Sequence, residues 1–180
     1  MNPRTSLQIA RDPATSAVEL AKLALNGAWC VRRGVAGNLS TGIQALCSLS
    51  QDESPWVREM VAEHPDTPPV VRAALQADRN SDVRTGVARN PSSSPESLGQ
   101  LAADNDWLVR KFVGLHPKCP PEVLDVLRKD SDARVSDALT LQPPSPAPVV
   151  VDVAPPQPAP APAVKRVPPK RVKVETLSLF

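Results

Sequence analysis

Hydrophobic residues recur along this chain at a fixed spacing of 26 residues. One leucine position and one valine position repeat five times without insertion, and a proline position shares the period, with Leu39 replacing one proline. These positions are Leu23, Leu49, Leu75, Leu101 and Leu127; Val31, Val57, Val83, Val109 and Val135; and Pro13, Pro65, Pro91, Pro117 and Pro143. A fixed period of about 20 to 50 residues is the signature of stacked repeats. The pattern therefore predicts five copies of one supersecondary unit.

Each unit reads as two short helices, most clearly in the fourth copy, residues 90–115. Ser94 before Pro95 has the form of an N-cap followed by a first-turn proline, and Asp106 is placed to cap a second helix. The equivalents of Asp106 are Ser54, Asn80 and Asp132, with Ala28 as the exception. Apolar stripes at i, i+3, i+4 spacing follow both caps. They are Leu98, Leu101 and Ala102, then Val109, Phe112 and Val113.

Neither helix is long enough to be stable alone, and each unit has one apolar face to bury. Consecutive units must therefore stack. We expect an all-α fold, a right-handed α-solenoid of five 26-residue, two-helix repeats over residues 1–142, in which the first and last units are weaker caps.

The repeated pattern of (N/H)P, then S/T-P-x-x-L-x-x-L, then D-x-D-x-x-VR-x-x-V resembles the leucine-rich repeat variant family and, more loosely, HEAT-like repeats. The resemblance covers about residues 11 to 142. It implies a solenoid that serves as a binding surface. Some members of the family carry an iron–sulfur cluster on a cysteine-rich N-terminal segment, and we do not transfer that cofactor because no such segment is present.

The chain has a second region of different composition. Of its 22 prolines, 11 lie after Leu141, while tryptophan, histidine and cysteine all lie before it. This predicts a disordered Pro/Ala-rich linker over 143–170, followed by a docking peptide over 171–180. The formal charge of +2 divides into about −1 for residues 1–141 and +3 for the tail. The tail cations are Lys165, Arg166, Lys170, Arg171 and Lys173.

Arginine recurs in the second helix and aspartate just before it. The positions are Arg32, Arg58, Arg84 and Arg110, and Asp52, Asp78, Asp104 and Asp130. The arginines could form a surface for phosphates or for an acidic partner. We favour an ion-pair ladder between repeats, because both signs recur in equal number and the arginine is lost in the fifth unit, where Ser136 stands.

Histidine and cysteine offer little chemistry. His64 and His116 share a repeat position with Asn38 and Asn90, which favours a hydrogen-bonding turn residue over a metal ligand. Three cysteines, odd in number and without paired spacing, indicate reduced thiols in a cytoplasmic protein without a secretory leader. We expect all three to be buried: Cys30, Cys47 and Cys119. We predict no cofactor, no metal, no membrane span and no enzymatic site.

Three tryptophans lie near the start of the second helix, at Trp29, Trp56 and Trp107. They could stack on a nucleic-acid base or grip a partner, as in helical-repeat DNA glycosylases. We favour a role in sealing the seams between repeats.

The last five residues give the clearest indication of function in the sequence. Thr176, Leu177, Ser178, Leu179 and Phe180 resemble the pentapeptide with which bacterial polymerases and repair proteins bind the replication sliding clamp. Its usual form is Q-L-S/D-L-F, so Leu177, Leu179 and Phe180 match the apolar anchors and Thr176 departs from glutamine. Coincidence, a degradation signal or a PDZ-like signal are the alternatives.

Three functions follow from these features. The first is a monomeric, non-enzymatic adaptor whose solenoid binds a protein and whose tail docks on the clamp, with weak nucleic-acid contact through the basic tail. The second is a HEAT-like DNA-binding or base-excision protein that uses the tryptophans and arginines. The third is a protein scaffold with a solubilising tail.

Overall fold

The computed structural model describes residues 4–140, and within that range all regular structure is helical. The helices are α1 Ser6–Arg11, α2 Ala17–Asn26, α3 Trp29–Ala36, α4 Ile43–Leu49, α5 Pro55–Glu63, α6 Pro69–Gln76, α7 Ser81–Arg89, α8 Pro95–Leu101, α9 Trp107–Leu115, α10 Pro121–Leu127 and α11 Ala133–Thr140. From α2 onward they form five pairs, one in each unit. We call the first helix of a pair the A helix and the second the B helix. The predicted all-α solenoid of two-helix repeats is confirmed, and its handedness stays a prediction.

The predicted cap residues directly precede five of the eleven helices in the described range. The Ser94 hydroxyl accepts a hydrogen bond from the Ser97 N–H at 3.1 Å, and a carboxylate oxygen of Asp106 accepts one from the Leu108 N–H at 2.8 Å. Both bonds satisfy N–H groups that the first turn leaves without partners. Ser54 holds the cap position of α5 without a side-chain cap hydrogen bond.

One helix precedes the five predicted units. Thr5 and Gln8 form a reciprocal capping box at the start of α1. Ala10 of this helix is fully buried and lies 26 residues before Ala36 of α3. Helix α1 therefore corresponds to the B helix of an incomplete unit, and it covers the end of the stack that the first full unit would otherwise expose.

The repeated apolar positions form the core. The valines of the B helices are at most 7% exposed, and four of the five leucines at the repeated A-helix position are at most 3% exposed. The fifth, Leu23, is partly buried against the same core. The residues that recur every 26 positions are therefore the residues that form the core.

Each B helix packs against the B helix of the preceding unit, from α1 to α11. The contact between α5 and α7 is the most extensive of these. A Cβ atom on Gly86 of α7 would lie 2.9 Å from the Ala62 Cβ atom and 2.9 Å from the Glu59 carbonyl oxygen. Glycine at this position is what lets the two helices approach so closely.

The contact between α9 and α11, the last two B helices, is made by a different pair of residues. Gly114 stands where other B helices have Ala36, Ala62 and Ala88, and Leu139 stands where they have Val35, Val61, Val87 and Val113. A Cβ atom on Gly114 would lie 2.6 Å from a Leu139 methyl carbon. The larger residue on α11 is therefore accommodated by the smaller one on α9.

Residues 141–180 lie outside the described part of the chain. The predicted division at 142, the linker over 143–170 and the docking peptide over 171–180 accordingly stay predictions. Among the described residues, none of the helices combines the length and the apolar character that crossing a membrane requires.

Candidate interaction surface

The recurring arginines and aspartates form a ladder of ion pairs between units. In each rung, Arg Nε and Nη2 donate to the two carboxylate oxygens of an aspartate in the next unit, and Nη1 donates to a backbone carbonyl. For Arg58 the distances are 2.7 Å and 3.0 Å to Asp78, and 2.7 Å to the Asp52 carbonyl oxygen. The other rungs join Arg32 to Asp52, Arg84 to Asp104 and Arg110 to Asp130.

This geometry uses most of the hydrogen-bonding capacity of each arginine. The four arginine side chains are 9–18% exposed and their aspartates 5–9%. Burial by itself would raise the pKa of Asp78, but the hydrogen bonds from Arg58 and from the Asn80 N–H hold the pKa of Asp78 below its ordinary value. The predicted ladder is confirmed, and little of these guanidinium groups remains to receive a phosphate.

Asparagine and histidine shape the turns between B and A helices. The Asn90 side-chain amide donates to the carbonyl oxygens of Ala62 and His64 in the preceding unit, and its oxygen accepts from the Ser92 N–H. In His116, Nδ1 lies 3.0 Å from the Lys118 nitrogen and Nε2 lies 3.0 Å from the Asn90 carbonyl oxygen.

Because a backbone N–H can only donate, Nδ1 of His116 accepts and Nε2 carries the proton. Burial lowers the pKa of His116, an effect partly opposed by its hydrogen bond to Asn90. His116 is thus a neutral turn residue with the same task as Asn90, and the predicted turn role is confirmed.

The tryptophans lie at two different contacts between units, one between the first two units and one between the last two. The Trp29 and Trp56 ring centroids are 5.0 Å apart with planes inclined by 40°, and these rings are 46% and 52% exposed. Trp107 is partly buried, and the guanidinium carbon of Arg134 lies 3.9 Å from its ring centroid. Both contacts join successive units, as the seam interpretation predicts. The first pair also leaves about half of each ring in solvent.

Other exposed apolar side chains cluster in the same part of the chain. Of the eight large hydrophobic residues that are exposed in the described range, seven lie between residues 18 and 70. They are Val18, Leu25, Trp29, Leu39, Ile43, Trp56 and Val70, and the eighth is Val126. An open groove of about 710 Å³ between α2 and α4 is lined by Val18, Ile43 and Gly42 among others. The first three units therefore present most of the exposed apolar surface.

Acidic side chains lie beside this surface, on the B helices. Burial raises the pKa of Glu59, and the neighbouring Glu63 and Asp82 raise it further, while Arg33 and Arg89 act against them. Arg89 forms an ion pair with Glu63 at 2.5 Å. In this group, which begins one helical turn after Trp56, the three acidic residues outnumber the two arginines.

The prediction that all three cysteines are buried was wrong for two of them. Cys119 is 8% exposed, and burial raises the pKa of its thiol to about 11. Cys30 is only partly buried and Cys47 is exposed. Cys47 lies on α4 between the buried Leu46 and Leu49 in sequence. It is on the outward face of the helix, because a residue next to an apolar stripe in sequence does not belong to that stripe.

Arg72 interrupts a repeated core position of the A helices and was not predicted from the sequence. It occupies the position at which four other A helices have a core leucine, Leu20, Leu46, Leu98 and Leu124. It is partly buried, burial lowers its pKa, and one guanidinium nitrogen donates to the Thr67 carbonyl oxygen. Aligning the five units column by column would have revealed this substitution.

The predicted docking peptide, Thr176 to Phe180, and the tail cations Lys165, Arg166, Lys170, Arg171 and Lys173 lie outside the described residues. Between residues 4 and 140, histidine, cysteine, aspartate and glutamate form no group of three that could hold a metal ion.

Comparisons with known proteins agree with this repeat geometry. Residues 82–106 match the model of the leucine rich repeat variant family. A solved structure described as a leucine-rich repeat variant with a novel repetitive protein structural motif is similar to this chain, with a TM-score of 0.60 and 28% sequence identity. The similarity covers 76% of this chain and 55% of that one, so this chain spans about half of that structure's length. A comparison with curated proteins gave no significant match. The family match and the similar structure both support the predicted resemblance to the leucine-rich repeat variant family.

Proposed function

We propose that this chain is a non-enzymatic, cytoplasmic adaptor: its helical body binds a protein partner, and its C-terminal peptide docks on a replication sliding clamp. The observation that carries the first half is the concentration of exposed apolar side chains between residues 18 and 70. Large apolar side chains left exposed on a folded body, such as the Trp29–Trp56 pair and the groove lined by Val18 and Ile43, are typical of interaction sites.

The non-enzymatic role is supported by what the recurring polar groups do. The ladder arginines and aspartates join consecutive units, and the turn residues Asn38, His64, Asn90 and His116 bond to backbone atoms of the preceding unit. These groups are engaged in holding the stack together. The repeat family is likewise a binding scaffold by its architecture.

Clamp docking is supported by the sequence of residues 176–180. Leu177, Leu179 and Phe180 could each contribute on the order of 1.5 to 3 kcal/mol when buried. Ordering a peptide offsets much of this, so the expected dissociation constant is roughly micromolar. The five tail cations would add attraction to DNA inside the clamp.

The test measures binding of the full chain to immobilised sliding clamp. Phe180→Ala should weaken binding at least about tenfold, because hot-spot anchors dominate small interfaces. Thr176→Gln should strengthen binding, because it restores the residue that the clamp motif usually has. Ser178→Ala is the matched control with little expected effect. Wild-type binding that is absent, or that is unchanged in Phe180→Ala, would contradict clamp docking.

A further inference from the structure

Trp29 and Trp56 are large apolar side chains that folding leaves about half exposed. Burying an indole is among the largest apolar gains available to a protein, so two adjacent exposed indoles mark a surface that gains from being covered. Leu25, 74% exposed, lies at the end of α2, four residues before Trp29. We call Leu25, Trp29 and Trp56 the tryptophan surface.

The spacing of the two rings restricts what can cover them. Centroids 5.0 Å apart are within the range of direct aromatic contact, so a base or another ring has no room between them. The rings are inclined by 40°, and about half of each tryptophan remains in solvent for a ligand to cover. Exposed aromatic rings bind proline residues of extended peptides, because the polyproline II conformation is preformed and loses little entropy on binding.

The charges near the two rings select against a nucleic acid. Arg32, the arginine nearest in sequence to Trp29, is paired with Asp52 at 2.5 Å and also contacts Glu53 at 3.3 Å. The Glu53 side chain is 88% exposed. A phosphate would therefore meet an occupied guanidinium and an exposed carboxylate.

Acidic side chains also follow Trp56 on the B helices. Glu59 lies one turn after Trp56 on α5, and Asp82 is close enough to raise the pKa of Glu59. Arg33 and Arg89 offset part of this negative charge, and Arg89 is paired with Glu63. A positively charged side chain of a ligand would gain from this arrangement.

We propose that the tryptophan surface, together with Glu53, Glu59 and Asp82, binds an extended proline-rich peptide that carries lysine or arginine beside its prolines. Proline rings would pack on the Trp29 and Trp56 indoles, and a basic side chain would lie against Glu59. This inference rests on the proposed partner-binding role of the helical body and does not depend on clamp docking.

The test titrates the full chain with three synthetic peptides by calorimetry. The first contains prolines flanked by arginines, the second has glutamate in place of arginine, and the third keeps the arginines but has glycine and serine in place of proline. The first should bind with a dissociation constant in the roughly micromolar range, and the other two at least about tenfold more weakly.

Two sets of variants locate the site. Trp29→Ala combined with Trp56→Ala should weaken binding of the first peptide at least about tenfold. Glu59→Gln, which keeps both rings, should weaken it several-fold and leave binding of the glutamate peptide unchanged or stronger. Val126→Ala removes a 67% exposed side chain on α10, outside the stretch between residues 18 and 70, and should change nothing. Thermal midpoints within about 2 °C of wild type would show that the variants remain folded.

Three results would overturn the proposal: no binding of the first peptide, binding that the tryptophan and Glu59 variants leave intact, or tighter binding of single-stranded oligothymidylate than of any peptide. Clamp docking is measured separately through Phe180→Ala. Failure here therefore leaves that half of the proposed function standing.

Discussion

At the seam between the first two units Trp29 packs on Trp56, whereas at the equivalent seam between the last two units Trp107 is covered by Arg134. The partners are related by the same 27-residue step along the chain. In one seam a second indole leaves apolar surface exposed, and in the other a cation replaces it. The two ends therefore share a way of joining units and differ in what they present to solvent.

A solvent-facing position of the A helices is likewise apolar in the first and third units and charged in the last two. Val18 and Val70 of the first and third units correspond to Glu96 and Glu122 of the last two. The buried valines and ladder arginines show no such difference over the first four units. Inter-unit contacts thus restrict some positions in every repeat, while solvent-facing positions are free to become a binding surface at one end.

The largest effect should come from cutting the ladder, which both ends share. Arg58→Ala leaves the Asp78 carboxylate, 9% exposed, without its ion-pair partner. We expect a loss of about 3 kcal/mol in the free energy of unfolding, measured with urea, because an unpaired buried charge is costly. Arg79→Ala, an exposed arginine outside the ladder, should cost under about 0.5 kcal/mol. Equal losses in the two variants would show that the ladder is not the shared framework.

Adding a single methyl group at the contact between Gly114 and Leu139, which only the last two units have, should lower the free energy of unfolding. Gly114→Ala would bring Cβ against Leu139, and overpacking of this kind costs about 1–3 kcal/mol. Adding Leu139→Val, the residue of the other units, should recover most of that loss. Gly99→Ala meets only a Val123 methyl at 3.9 Å and should stabilise α8 slightly. Absence of recovery in the double variant would contradict the proposed compensation.

Arg72 interrupts the core that the units otherwise share, and replacing it should make the middle unit resemble the rest. Arg72→Leu restores the leucine of four other units and removes a partly buried charge. We expect about 1 kcal/mol of stabilisation in urea unfolding, the usual gain from a compatible consensus residue. Arg79→Leu, at an exposed position, serves as the control. A destabilised Arg72→Leu variant would contradict this expectation and show that the hydrogen bond from Arg72 to the Thr67 carbonyl oxygen outweighs the gain from a core leucine.

The smallest effect concerns the turns, where asparagine and histidine alternate. The pKa of His116 is lowered in the folded state from its ordinary value of 6.5. Protons therefore bind the unfolded chain more readily, so the contribution of His116 to stability is complete above pH 6.5 and is lost as pH falls below it. His116→Asn should flatten the dependence of the urea midpoint on pH between 7 and 5, with little change at pH 7. An unchanged slope would contradict the neutral-histidine assignment.

Sequence periodicity predicted the buried positions and most helix boundaries, because each unit repeats the same caps and stripes. It also predicted that arginine and aspartate would pair. It did not identify the partners: Asp104 precedes Arg110 by six residues, yet its carboxylate binds Arg84 and only its carbonyl oxygen binds Arg110. A period of 26 residues relates equivalent positions and carries no information on which neighbouring unit a side chain reaches.

The 26-residue period did not predict helix α1 or the exposed apolar surface, for different physical reasons. The segment Ser6–Arg11 lacks the valine and arginine of a B helix, although the Thr5–Gln8 capping box and the position of Ala10 were available signals. Exposure of Trp29 and Trp56 depends on which residue of the adjacent unit covers each ring. That is a property of packing, which spacing alone does not determine.

The most direct test of the difference between the two ends converts one seam into the other. Trp56→Arg gives the first seam the tryptophan–arginine pair that joins the last two units, so the fold should persist with an unchanged thermal midpoint. Our account predicts that calorimetric titration of this variant with the proline–arginine peptide shows at least an about tenfold loss of affinity. Wild-type affinity in a folded Trp56→Arg variant would contradict it.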